Sequence, residues 1–146
     1  MSDSDLVKLY SGRILALAAD IPHLGRLPAP DGSARKRSML CGSTITVDLV
    51  MRDGRVAEFA QDVKACALGQ ASAAVLGRVV LGRSRAELEA ARDALQAMLQ
   101  GGGPVPRAPF DGYEVLLPAR DYRNRHASIL LALDATCAAI AEAETA

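Results

Sequence analysis

The sequence predicts an α+β fold: a small antiparallel three-stranded sheet with helices packed on one side, in the order αβββααα. Three observations carry this. Residues 44–50 alternate apolar and polar, Asp53-Gly54 has the chemistry of a tight hairpin turn, and the period changes from two to helical after Cys66.

Ser2-Asp-Ser-Asp reads as a helix N-cap, and Leu6, Tyr10, Ile14 and Leu17 recur at helical spacing, so a helix is expected over residues 3–19. Residues 21–32 carry Pro22, Pro28, Pro30, Gly25 and Gly32 and read as a connector. A first strand is expected over residues 34–40. In the second, Ile45, Val47 and Leu49 share one face. The hairpin returns through residues 56–65 with Ala57, Phe59 and Val63 inward. Asp48, Asp53, Glu58 and Asp62 read as solvent-facing charges. After Cys66, the residues Leu68, Ser72, Val75, Leu76 and Val79 form a helical face that Gly82 ends. Ser84-Arg-Ala-Glu87 is a capping box opening a helix that runs to Gly101, where Gly-Gly-Gly-Pro stops it. Residues 101–112 read as a loop. The last helix starts near Arg123–Arg125, with Leu130, Leu133, Cys137 and Ile140 on one stripe.

The chain has 146 residues and a mass of 15.3 kDa, the size of one domain spanning residues 1–146. Hydrophobic residues make up 50% and charged residues 23%, which argues against disorder. Lys+Arg and Asp+Glu both total 17, so nothing draws the chain generally to nucleic acid or to anionic membrane. Aromatics at 3%, with no Trp, weaken any base-stacking role. The acidic start lacks the pattern of a secretory signal, and the most apolar stretches, broken by Asp20 and Asp134, read as too short to cross a membrane; a cytoplasmic protein is expected.

Three cysteines, Cys41, Cys66 and Cys137, are an odd count that fits metal ligands, reactive thiols or core residues better than disulfides. Cys41-Gly42-Ser43 joins two predicted strands, and Cys66 stands where strand gives way to helix. A thiol at a helix N-terminus feels the positive end of the helix dipole, which favours thiolate. Either cysteine also fits as a small buried hydrophobe. Cys137 lies on the apolar stripe, about 16 Å along the helix from His126, too far for both to bind one ion, and reads as core. Arg120, Arg123 and Arg125 gather before His126; they read as a solvated helix start or as an attractor for an acidic partner. His23 has no evident partner. There is no Cys-x-x-Cys, P-loop, dinucleotide fingerprint or Ser/His/Asp set, so conventional catalysis is unsupported.

In order along the chain, Leu40-Cys41-Gly42-Ser43, the hairpin with its Asp-Gly turn, Lys64-Ala-Cys-Ala-Leu-Gly-Gln-Ala-Ser-Ala and Arg125-His-Ala-Ser-Ile-Leu resemble the IscU/NifU-type iron–sulfur cluster scaffolds. Leu9-Tyr-Ser-Gly-Arg-Ile-Leu, with Pro22 and Gly25-Arg-Leu, resembles the family's N-terminal segment. The resemblance implies a SufE/NifU-like fold, with Cys41 and Cys66 matching the first two cluster cysteines and His126 the adjoining histidine. Ser43 stands where the family has Asp, and Ala127 where it has its third Cys. The implied ligand set for a transient iron–sulfur cluster, iron or zinc is then Cys41, Cys66 and His126, with no catalytic residue. Such incomplete ligation implies a labile cluster or one completed by a second chain, hence a homodimer. Implied partners are a cysteine desulfurase and cluster-acceptor proteins, with no small substrate turned over. The alternative is a SufE-like persulfide acceptor or regulator of a desulfurase; a third reading is a decayed site on a structural protein.

Overall fold

The computed structural model describes residues 10–40 and 42–145. Helix α1 spans Gly12–Ala18, β1 Gly32–Arg37, β2 Thr44–Arg52 and β3 Arg55–Lys64. Then come α2 (Ala67–Val79), α3 (Arg85–Gln100), a succession of 3₁₀ turns over Phe110–Asp121, and α4 (Arg123–Thr145). The strands form one antiparallel sheet in the order β1-β2-β3. The α+β class and the αβββααα order are as the sequence predicts. The 3₁₀ turns fall mostly in the stretch between the glycine loop and the last helix, for which no element was expected.

Within the described residues the first helix is shorter than expected. Ser11 adopts an extended conformation and its hydroxyl accepts the Ile14 N–H at 3.4 Å, so it caps α1. A serine followed by Gly12 favours a cap over helix continuation. The expected cap at Ser2 and the helix over residues 3–9 lie outside the described residues.

Asp53 and Gly54 both take positive φ (53° and 74°), as a two-residue hairpin turn with the right strand twist requires. Ile45, Val47 and Leu49 are fully buried against the helices. A register shift between Val50 and Met51 moves the alternation on the returning strand, so Val56 is buried where strict alternation would bury Ala57.

Helix α4 crosses the inner face of the sheet, flanked by α2 and α3. Its residues are buried nearly all round, from Ile129 to Ile140. It is long and apolar enough to cross a membrane, yet sheet and neighbouring helices cover most of it, as for a core helix. Its approach to β1 is close. A Cβ on Gly32 would lie 2.0 Å from the Ala139 carbonyl oxygen. The capping box at α3 is complete: Ser84 Oγ accepts the Glu87 N–H and the Glu87 carboxylate accepts the Ser84 N–H.

Asp48 corrects the sequence reading. It is fully buried, not solvent-facing. The connector runs beside the free edge of β3, where Gly25 N–H donates to the Gln61 carbonyl at 2.9 Å, then crosses the outer face of the sheet to reach β1. Asp48 points into that crossing. It accepts hydrogen bonds from three residues: Arg26 through Nε (2.6 Å) and Nη2 (3.2 Å), the Leu27 N–H (3.0 Å) and the Ser33 hydroxyl (2.6 Å). Burial pushes its carboxyl up in pKa, but these donors outweigh burial and hold it below the ordinary carboxylate value. His23 also gains a partner: its ring meets Phe59 edge-on at 6.1 Å, and its carbonyl accepts the Gln61 N–H.

Candidate functional site

Cys66 is the N-cap of α2, with φ −67° and ψ 169°, and its side chain makes no capping hydrogen bond. Its carbonyl accepts the first helical bond from Gln70 N–H, so the backbone is set for a helix while the sulfur is left to face elsewhere. The sulfur meets Ser128: Cys66 Sγ and Ser128 Oγ lie 3.5 Å apart. Ser128 Oγ in turn lies 3.0 Å from Ser43 Oγ at the start of β2. Both serines are buried. A chain of polar side chains thus links the start of β2, the first turns of α4 and the N-terminus of α2.

Small residues make this junction possible. A Cβ on Gly69 would fall 2.6 Å from Ser128 Oγ, so the absence of a side chain lets α2 lie directly on α4. One turn on, the Ser72 hydroxyl donates to the Ile129 carbonyl at 2.5 Å. Sequence reasoning quoted Ser128 within a motif without giving it a role. A serine two residues past His126, at the head of an apolar helix, was the available signal.

Cys41 lies outside the described residues. The turn around it is defined by its neighbours: Ser38 N–H donates to the Ser43 carbonyl at 2.8 Å, and Gly42 N–H to the Ser38 carbonyl at 2.9 Å. Gly42 takes φ +70°, a conformation suited to glycine.

His126 is buried, and its Nε2–H donates to the Ala119 carbonyl at 2.9 Å. That bond fixes the tautomer and ties α4 to the preceding 3₁₀ turns. Residues two apart on a helix do not share a face, so His126 and Ser128 turn to different neighbours. The structure therefore brings Cys66 to Ser128, which in turn meets Ser43, whereas His126 is engaged by Ala119. Among the described residues no three His, Cys, Asp or Glu side chains converge as a metal site. Ala127, between His126 and Ser128, is exposed.

Cys137 sits on the far part of α4, half-buried. Burial, together with the Glu89 and Asp134 carboxylates, pushes its thiol pKa up to about 11, which suits a packing role. Of the arginine cluster, Arg120 is neither solvated nor free: its Nε donates to the Met98 carbonyl and Nη2 to the Gly103 carbonyl, satisfying the end of α3. Arg123 is exposed.

Fold and site together define a class: a small α+β protein that presents a thiol at a helix N-terminus next to the β1–β2 turn. No family model matches the chain, and no curated protein does. Solved structures do. The N-terminal part of a nitrogen-fixing NifU-like protein from Brucella abortus is 48% identical with TM-score 0.93, covering 97% of this chain and 98% of that one. The chain belongs to the IscU/NifU-type family, as a divergent member with Ala at position 127. Two further structures share the fold. One is described as an iron–sulfur cluster assembly scaffold protein for the SUF system, from Fervidobacterium islandicum AW-1 (17% identity, TM-score 0.81, 92% and 98% coverage). The other is a hypothetical protein (22% identity, TM-score 0.78, 92% and 98% coverage).

Proposed function

We propose that the whole chain acts as one scaffold domain for iron–sulfur cluster assembly, holding iron, zinc or a labile cluster through Cys41 and Cys66 with His126 assisting. The observation that carries this is the end-to-end likeness, at 48% identity, to a NifU-like protein. The chemistry at Cys66 agrees with it. The Cys66 sulfur stands at the start of α2, uncommitted to capping its own helix, and the Ser128 hydroxyl is close enough to hydrogen-bond to it. A cysteine desulfurase would supply the sulfur and acceptor proteins would take the finished cluster, so the chain itself is not an enzyme. A cytoplasmic setting keeps its thiols reduced.

The ligand set is sparse. Clusters are ordinarily held by four cysteine thiolates, and Ala127 offers only a methyl group. His126 can use Nε2 as a ligand only by giving up the Ala119 carbonyl, a bond of about 1 kcal/mol net. A cluster here is therefore labile, or a second copy of the chain completes its ligation.

A second reading is favoured by the seating of the Cys66 thiol at the start of α2, beside the Ser128 hydroxyl. In a SufE-like role its thiolate attacks the outer sulfur of the desulfurase persulfide. A new S–S bond forms on Cys66, the bond to the donor cysteine breaks, and the donor leaves as thiolate.

The test is iron, zinc and acid-labile sulfide per chain, on tag-free protein purified without oxygen. Iron with comparable sulfide, lost in the Cys41→Ala/Cys66→Ala variant, is expected. Metal retained undiminished in that variant would overturn the scaffold reading. No metal, with a mass gain of one sulfur on a single cysteine after incubation with desulfurase and cysteine, would establish the second.

A further inference from the structure

Beside the candidate site lies an open groove of about 600 Å³ between β1 and the outer sides of α3 and α4, with Lys36, Arg37, Arg92, Gln96, Gln100 and Arg123 among its lining residues. Its charge is one-sided. Arg92 is held by Asp134 at 2.7 Å, which leaves Lys36, Arg37 and Arg123 without an ion-pair partner among the described residues. In a chain whose charges sum to zero, three unbalanced cations on one groove are a local concentration.

The groove is bordered by an open sheet edge. Among the described residues β1 pairs only with β2. The bond from Ser38 N–H to the Ser43 carbonyl sets the alternation, so Lys36, Ala34 and Gly32 bond inward to β2, while Ser33, Arg35 and Arg37 present their backbone groups outward. One outward N–H already meets a carboxylate: Ser33 N–H donates to Glu142 Oε2 at 3.4 Å. The backbone groups of Arg35 and Arg37 have no such partner among the described residues, and both residues are exposed.

We propose that this edge and groove dock an acidic, extended segment of a partner protein, added as a short strand along β1. Backbone bonds to Arg35 and Arg37 would supply register, while Lys36, Arg37 and Arg123 select carboxylate side chains and the Gln96 and Gln100 amides accept and donate at the far wall. Lys and Arg on an edge strand also discourage self-pairing. That role accounts for β1 but not for Arg123, which comes from another element and faces the same groove. The inference does not depend on what Cys41 and Cys66 carry.

The probe is a fluorescein-labelled peptide of about ten alternating Glu and Thr residues, followed by anisotropy at low and moderate salt. Saturable binding is expected, weakening with salt, and falling at least about tenfold in Lys36→Glu/Arg37→Glu and also in Arg123→Glu. Arg13→Glu, on a separate groove, should bind as the parent chain does. The amides of Arg35 and Arg37 should gain protection from hydrogen exchange when the peptide is bound. Four results would overturn the proposal: no saturable binding at low salt, binding undiminished in both charge-reversed variants, unprotected Arg35 and Arg37 amides, or a single-stranded oligonucleotide binding the same residues as well as the peptide does. Far-UV circular dichroism of each variant separates lost binding from lost folding.

Discussion

Asp48→Ala removes the one carboxylate that pins the connector across the outer face of the sheet. Asp48 is fully buried, and the Leu27 N–H and Ser33 hydroxyl that bond to it belong to half-buried residues. The Leu27 N–H and the Ser33 hydroxyl would each lose a charged acceptor, at about 1.5–3 kcal/mol per bond. The Arg26 side chain is 58% exposed, so its pairing with Asp48 is screened by solvent and adds little. The sum is about 4 kcal/mol, or a fall in Tm of roughly 10 °C for a chain of this size. Asp48→Asn keeps an acceptor oxygen and should cost about half as much. The pH dependence has a fixed sign. Because the native pKa is depressed, the stabilisation is fully present above the unfolded carboxyl value of about 4 and is lost as pH falls through the native value. Urea unfolding followed by circular dichroism, at neutral pH and down to about pH 3, should show the gap between parent and Asp48→Asn narrowing with acid. An Asp48→Ala variant within about 1 kcal/mol of the parent, or a gap that does not change with pH, would refute the reasoning.

Gly32→Ala should destabilise by about 3 kcal/mol, because the added methyl meets the Ala139 carbonyl oxygen and the Ala143 nitrogen, both backbone atoms that no side-chain rotation can move. An unchanged urea midpoint would contradict this. In the Cys41→Ala/Cys66→Ala variant, Cys137 alkylation by iodoacetamide should be slow at about pH 8, where a thiol of pKa about 11 is roughly one part in a thousand thiolate. The rate should climb as pH approaches that value, and a rate equal to that of a free thiol would count against the burial of Cys137.

Much of the fold is legible because it rests on local signals. Asp53-Gly54 can hardly be anything but a tight turn, and Ser84 with Glu87 carries both halves of a capping box within four residues. The alternation of Ile45, Val47 and Leu49 fixes one buried face because the side-chain period in a strand is two. The site was legible in part. Cys66 falls at the strand-to-helix junction, as its sequence neighbours indicate, and Ala127 is a departure visible in the sequence alone.

Other features depend on segments that meet only in three dimensions. Asp48 reads as a surface charge from its own strand, because the connector that covers it comes from some twenty positions upstream and leaves no trace in the local pattern. Arg120 looks like one member of a basic cluster until α3 brings the Met98 and Gly103 carbonyls to it. Ser128 becomes a neighbour of Cys66 only because Gly69 lets α2 rest on α4, a contact between residues 62 positions apart. By itself the sequence determined the element order, the turn, the capping box at Ser84 and the placing of a thiol at the start of a helix, since each depends on residues within a turn or two of one another. Only the tertiary structure decided which polar groups face that thiol, where His126 donates its proton, and which charges remain unpaired along β1. Those outcomes depend on packing between distant segments, and hydrophobic periodicity carries no information about them.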